Sequence, residues 1–250
     1  MLTPERHRII LDLVKEKGVV KLQELVDATG TSESTIRRDL VQLEEQNRIK
    51  RVHGGASSLQ ARGRELTMNE KSSKNIHEKK LIAQYASSLA EEGNCIYLDA
   101  GSTTYEMIPY LQGKNVTVVT NGLMHIEALF QADIRAYLLG GMMKNSTKAL
   151  IGSAALEGLL HYRFDLCFLG INGIHLVHGY TTPDPEEALL KKTAMNLANK
   201  SYVLADSSKF AEVSFAKVES LEAATIITTN LKEQESAPYK QKTTVKVVTA

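Results

Sequence analysis

Six short apolar runs, at residues 95–98, 116–120, 134–139, 164–170, 202–205 and 225–228, alternate with longer stretches of helical periodicity. A strand that is apolar on both faces must be covered on both faces. Parallel strands joined by helical crossovers meet that need, because each crossover returns across the sheet and lies against it. The alternation predicts an α/β domain with a largely parallel sheet. Ligands of such sheets bind beyond the carboxyl ends of the strands, so the loops at those ends are the candidate site.

The first 57 residues follow a different grammar. Thr3-Pro4-Glu5 reads as a helix start, with Thr3 as the cap and Pro4 at the first helical position. Ile9, Ile10, Leu13 and Val14 then recur at helical spacing until Gly18. A second helix is expected from about Leu22 to Ala28, Gly30 supplies a tight turn, and Thr31 or Ser32 caps a third helix with Ile36, Leu40 and Leu43 on its inner face. This is a helix-turn-helix. Ser32, Ser34 and Thr35 stand at the start of the third helix and Arg37 and Arg38 follow, residue types that suit a helix entering the major groove of double-stranded DNA. The run from Arg48 to Ala56 alternates apolar and basic residues and turns at Gly54 and Gly55, which predicts a β-wing carrying Arg51 and His53. A backbone-phosphate contact is the expected role of His53, and a pH switch is the alternative.

A net charge of +1 argues against a chain coated in nucleic acid. It leaves room for a local basic face, and Arg37, Arg38, Arg48, Lys50 and Arg51 supply one. No apolar run approaches the roughly 20 residues of a membrane span, and the amino end has no apolar signal region, so the expected location is the cytoplasm, with no membrane partner. Cys95 and Cys167, each among strand-like apolar residues, read as small buried hydrophobes rather than a disulfide or metal pair. Neither a metal nor a cofactor is expected. Residues 58–76 are polar and lack sustained periodicity. They predict a linker between a winged helix-turn-helix at 1–57 and an α/β domain at 77–250.

The loop Asp99-Ala100-Gly101-Ser102-Thr103-Thr104 leaves the first apolar run and enters a helix, so free N–H groups and three hydroxyls form a nest suited to a phosphate. Four further strand ends carry small or polar groups: Thr120-Asn121-Gly122, Gly140-Gly141, Gly170-Ile171-Asn172-Gly173 and Ala205-Asp206-Ser207-Ser208-Lys209. Several donors, a carboxylate and a cation on one sheet edge suit a phosphorylated polyol.

The segment 32–40, Ser-Glu-Ser-Thr-Ile-Arg-Arg-Asp-Leu, and the segment 50–56, Lys-Arg-Val-His-Gly-Gly-Ala, resemble the signature of the DeoR family of bacterial sugar-metabolism repressors. The loop set of the larger domain is similar to the ribose-5-phosphate isomerase and CoA-transferase-like fold of that family's sensing domains. The resemblance implies that Gly101, Ser102, Thr103, Thr104 and Lys209 hold a phosphate and that Asp99, Asn121, Asn172 and Asp206 meet sugar hydroxyls. It also implies that the segment 179–187, with Thr181, folds over the ligand, with Lys191 and Lys192 on the helix behind.

Within the family, the opening seven residues and the segments 70–75 and 180–191 resemble the fructose-operon subgroup. That implies repression of a fructose operon, fructose 1-phosphate as the effector, and a homodimer or homotetramer. The alternative is a lactose-pathway repressor sensing tagatose 6-phosphate. A sugar-phosphate isomerase is the less favoured reading. By the resemblance, the places that hold acids in the isomerases read Asn172 and, in the simplest register, Lys192. An amide cannot take a proton from carbon, and a charged lysine cannot without a large fall in pKa, so no catalytic residue is expected.

Overall fold

The computed structural model describes residues 2–17, 19–46, 48–52, 54–58 and 66–249, and only the backbone of residues 15, 16, 19, 50, 52, 57 and 58. Gly18, His53 and the Lys50 side chain, all used in the sequence reading, lie outside what is described. The chain divides into two compact units, residues 1–65 and 66–250.

The first unit runs α1 (Thr3–Lys17), β1 (Val19–Lys21), α2 (Leu22–Thr29), α3 (Glu33–Glu45), β2 (Ile49–Val52) and β3 (Gly55–Ser58). Thr3 is the first helical residue rather than the cap, since the Arg6 N–H donates to the Leu2 carbonyl at 3.0 Å. Gly30 closes α2 in the left-handed conformation (φ 63°), which a residue without Cβ adopts freely. Ser32 caps α3, its Oγ accepting from the Thr35 N–H. Ile10, Val14, Leu25, Ile36, Leu40 and Leu43 form the core between the helices and Val20, Ile49 and Ala56 of the sheet.

That sheet is antiparallel in the order β1-β3-β2, so the hairpin β2–β3 is the predicted wing. Strand β1 was not expected, because three residues are too few to show a period of two. Gly55 has no substitute here: a Cβ on it would sit 2.0 Å from the Val20 carbonyl oxygen.

The second unit opens with α4 (Met68–Ser73) and α5 (Ile76–Ser88). Helix α4 corrects the expectation of an aperiodic linker over 58–76. Thr67 and Glu70 form a capping box at its start, Met68 is buried, and the Met68 N–H donates to the Ser146 carbonyl at 2.8 Å, which ties the segment into this unit. The chain continues through β4 (Cys95–Leu98), α6 (Ser102–Tyr105), α7 (Ile108–Leu111), β5 (Thr117–Thr120), α8 (Leu123–Gln131), β6 (Arg135–Leu138), β7 (Met142–Lys144), β8 (Ala149–Ile151) and α9 (Ser153–Leu160). It ends with β9 (Phe164–Gly170), β10 (Gly173–His175), β11 (Gly179–Thr182), α10 (Pro185–Asn196), β12 (Ala198–Leu204), β13 (Ala216–Glu219), β14 (Thr225–Thr229), α11 (Glu233–Lys240) and β15 (Val245–Val248).

Seven strands form one wholly parallel sheet, ordered β15-β14-β12-β9-β4-β5-β6. The predicted runs supply six of them, and β15 adds an edge. Alternate residues feed two cores. Tyr97, Cys167, Leu169 and Val203 point to one layer, and Ile96, Leu98, Phe168 and Leu204 to the other. Two smaller sheets, the hairpin β7–β8 and the antiparallel β10-β11-β13, stand beside the main one. Cys167 is buried as expected, whereas Cys95, at the amino end of β4, is exposed. Among the described residues no helix is long and apolar enough to cross a membrane.

Candidate DNA interface and ligand site

In the first unit, Ser32 and Ser34 at the start of α3 are exposed and Thr35 is half-buried. The Ser32 Oγ lies 3.0 Å from the Ser34 hydroxyl and 2.9 Å from that of Thr35, so the three hydroxyls form one cluster at the helix start. Arg37, Arg38 and Arg51 line one concave surface together with Gly54 and Gly55 of the wing. Two of these arginines are paired within the unit: Arg37 with Glu33 at 2.5 Å, and Arg51 with Glu44, whose carboxylate accepts from the Arg51 Nε at 2.7 Å and backbone N–H at 2.8 Å. Sequence reasoning missed what seats α3. Asp39, inside the polar run, is buried and receives both the Nε of Arg6 and its Nη2 (2.9 Å), with His7 at 3.2 Å. Burial pushes the Asp39 carboxyl up, but hydrogen bonds and charge from Arg6 and then His7 outweigh it and hold the group below the usual carboxylate range.

In the second unit, hydrogen bonds join Asp99, Gly101, Thr104 and Lys191, and Asn121 through Ala100, into one network at the strand ends. Asp99, buried just past β4, accepts from the Gly170 N–H at 3.1 Å and from the Lys191 ammonium, so α10 is pinned to the centre of the sheet edge. Lys191 is thus the residue of α10 that reaches the site. Lys192, which the simplest register placed there, is half-exposed and pairs with Glu219 of β13 at 3.0 Å. The helical step of 100° separates the two lysines.

Ser102 and Thr103 are buried in the first turn of α6. Thr104 is committed internally: its hydroxyl donates to the Asp99 carbonyl at 2.5 Å and accepts from the Gly101 N–H at 3.1 Å, with His125 Nε2 at 3.2 Å. His125 is fully buried, and desolvation lowers its pKa to about 4, so it is neutral at pH 7. With the Thr104 proton given to Asp99, the ring carries its own proton on Nε2, and Nδ1 has no partner. Gly122 is the residue the ring packs on, since a Cβ there would lie 2.4 Å from Nδ1.

Asn121 is likewise a strut: its Oδ1 accepts from the Tyr97 hydroxyl (3.1 Å) and the Ala100 N–H (3.0 Å), and its Nδ2 donates to the Leu150 carbonyl (3.2 Å). One amide N–H remains for a ligand. Gly140 and Gly141 are exposed between β6 and β7, the latter at φ 125°. Asn172 is half-buried and accepts from the Thr182 hydroxyl at 3.1 Å. Thr181 is buried and accepts from the Ser214 N–H at 2.9 Å, inside the small sheet. Glu187, which sequence reasoning did not select, is buried on α10 and accepts from the Thr147 hydroxyl at 2.8 Å and Lys144 at 3.1 Å.

The most strongly charged part of the region lies past β12. Asp206 is buried and caps the turn that carries Lys209, accepting from the Ser208 N–H at 3.0 Å; desolvation raises its pKa, but Ser208 and Lys209 outweigh that and leave it lowered. Around it stand lysines from three elements. Lys209 is held below its ordinary value by desolvation, offset by Asp206 and reinforced by Lys74 and Lys71. Lys79 of α5, buried and donating to the Lys71 carbonyl, has its pKa brought down to about 8 by desolvation, with Asp206 acting against that and Lys209 with it. Lys79 was missed because on the helix it follows only a polar neighbour pattern; its burial depends on α4 and the turn after β12.

The comparisons with known proteins agree with this division. Residues 6–62 match the DeoR-like helix-turn-helix domain, and residues 74–230 match the DeoR C-terminal sensor domain. The chain belongs to the DeoR family of transcriptional regulators. It is 55% identical over 249 residues to the regulator named FruR of Bacillus subtilis (strain 168), covering 99% of each chain. It is 37% identical to the regulator GlpR of Haloferax volcanii (92% of this chain, 91% of that one). It is 33% identical to the lactose phosphotransferase system repressor of Staphylococcus epidermidis (90% and 92%). Among solved structures, this DeoR-family chain is similar to ribose 5-phosphate isomerase A of Methanocaldococcus jannaschii, at 20% identity and a TM-score of 0.42 over 55% of this chain and 56% of that one.

Proposed function

We infer that the chain represses a sugar-utilisation operon and is released from its operator by a phosphorylated sugar. The observation that carries the reading is the charge balance around Asp206. Lys209 lies among Asp206, Glu212, Lys74 and Lys71, Lys79 among Asp206, Glu106, Lys209 and Lys71, and both Lys79 and Lys209 are depressed in pKa by desolvation. Lys79 is buried and Lys209 half-buried, so each is stabilised in its charged form by a bound anion, and a phosphate dianion beside hydroxyl-bearing loops supplies one. Gly101, Ser102, Thr103 and Lys209 take the phosphate, and Asp99, Asn172 and Lys191 offer the sugar its polar contacts.

The site binds without turnover. Asp99 is tied to Lys191, Asp206 to Ser208 and Glu187 to Thr147 and Lys144, so none of the three is a free base, and Asn172 is an amide. Fructose 1-phosphate is the favoured effector, supported by the 55% identity to a regulator named FruR. Tagatose 6-phosphate is the second reading, supported by the lactose repressor at 33%. On DNA, α3 enters the major groove with Ser32, Ser34, Thr35, Arg37 and Arg38, and Arg51 and His53 of the wing meet phosphates. Two copies read two half-sites. Thermal stabilisation of the full chain by a panel of sugar phosphates tests the effector. A ligand at a hundredfold its Kd adds about 2.7 kcal/mol, and the expected order puts fructose 1-phosphate first. Equal shifts with inorganic phosphate and every sugar phosphate would reject a sugar sensor.

A further inference from the structure

Strand β6 ends the seven-stranded sheet, and it ends it without protection. Natural edge strands are shielded by charge, bulges or a covering element. Here the one charged residue of the strand, Arg135, folds back over Tyr137, its guanidinium 5.6 Å from the ring centre and bonded to the phenol oxygen at 2.8 Å. Tyr137 and Leu138 are each 38% exposed, and the chain carries no charge from Ala136 to Met143.

The apolar surface extends past the strand. Beyond the two glycines, β7 presents Met142 (64%) and Met143 (43%). Phe130, in the last turn of α8 just before β6, is 82% exposed, and Leu160 at the end of α9, two residues from the Tyr162 ring that packs on Tyr137, is 52% exposed. Exposed large apolar residues thus stand on the edge strand, on the hairpin that follows it and on a helix of each flanking layer, and apolar surface of this kind marks an interaction site.

We propose that the β6 edge with β7 is where two copies of this chain associate. The occupant follows from the geometry. An edge strand's free N–H and C=O groups are satisfied by another strand, and two identical edges related by a two-fold axis pair antiparallel, so the surface is its own complement. A standard interface takes about 800 Å² from each partner; six large apolar side chains at these exposures, with the open backbone of β6, supply area on that order. An uncharged centre fits an identical uncharged centre, and a two-fold pair of chains is what two operator half-sites require. The β7–β8 hairpin would then link the interface to the ligand region, because its Lys144 pairs with Asp184 and Glu187 of α10.

This surface deepens the two-copy part of the reading above and is independent of the effector. Light scattering after gel filtration of the full chain, beside the variant Leu138→Lys with Met142→Lys, tests it. The expected result is an oligomer for the unaltered chain and half that mass or less for the variant at equal micromolar concentration, with an unchanged far-UV spectrum. A monomeric unaltered chain overturns both the surface and the two-copy reading. A folded variant of unchanged mass overturns the surface alone. Should the variant not fold, hydrogen exchange of the unaltered chain decides: amides of residues 135–138 gain protection between nanomolar and micromolar concentration, and exchange that is the same at both overturns the proposal.

Discussion

At Lys79 burial and the charges around it set the charge that an effector meets. Burial lowers the pKa to about 8, Asp206 opposes the fall, and Lys209 adds to it. Below that value the side chain is an ammonium that attracts a phosphate dianion; above it the group is neutral and the attraction is lost. Sugar-phosphate affinity measured by calorimetry is expected to fall about tenfold from pH 7 to pH 9, one unit beyond the pKa, and Lys79→Met should remove most of that dependence. An unchanged pH slope in the variant would assign the titration elsewhere. The identity of Lys209 as a strand-end cation was legible in the sequence, since it closes the short polar loop that follows an apolar run. Lys79 was not, because its environment is made by residues 127 to 130 positions further along the chain, beyond any local period. The same distance hid the Arg6–Asp39 pair: Asp39 sits in a run of polar residues, and only its burial separates it from the exposed Arg37 and Arg38 beside it.

Among the elements, the recognition helix and the sheet strands were readable because each carries its own signal: a hydroxyl cap and a period of 3.6 for α3, and runs of four to seven residues rich in apolar and β-branched side chains for the strands. Elements whose signal is shorter than a period escaped. Strand β1 has three residues, the hairpin β7–β8 has three in each arm, and α4 has six, though its Thr67–Glu70 capping box was there to be seen. The wing depends on Gly55 in a way that a substitution exposes. In Gly55→Ala the new methyl meets the Val20 carbonyl at 2.0 Å, on the central strand of the β1-β3-β2 sheet, where backbone cannot give way without breaking the ladder. The expected loss is at least about 2 kcal/mol in the first unit, seen in a thermal scan as its transition falling by roughly 10 °C. The transition of the second unit should not move, and a first transition that stays in place would mean the strand is paired otherwise.

For the molecule as a whole, the proposed function rests on linkage between a DNA-reading unit and an anion-binding unit. A ligand shifts DNA affinity only by the difference in its own affinity for the two arrangements of the chain, typically 1–3 kcal/mol or about 5- to 150-fold. Placement of the strand-end loops on one edge of a parallel sheet was legible from the alternation of apolar runs. The internal commitment of Thr104 and Asn121 was not, because residue type does not reveal whether a polar group faces a ligand or braces the loop that does. The most direct measurement is fluorescence anisotropy of labelled operator DNA titrated with the full chain, with and without saturating fructose 1-phosphate, for the unaltered chain and for Lys209→Ala. The expected result is equal operator affinity for both proteins without the sugar phosphate, a loss of 5-fold or more on its addition to the unaltered chain, and no loss for Lys209→Ala. Equal release of both proteins, or release of neither by any sugar phosphate, would contradict it.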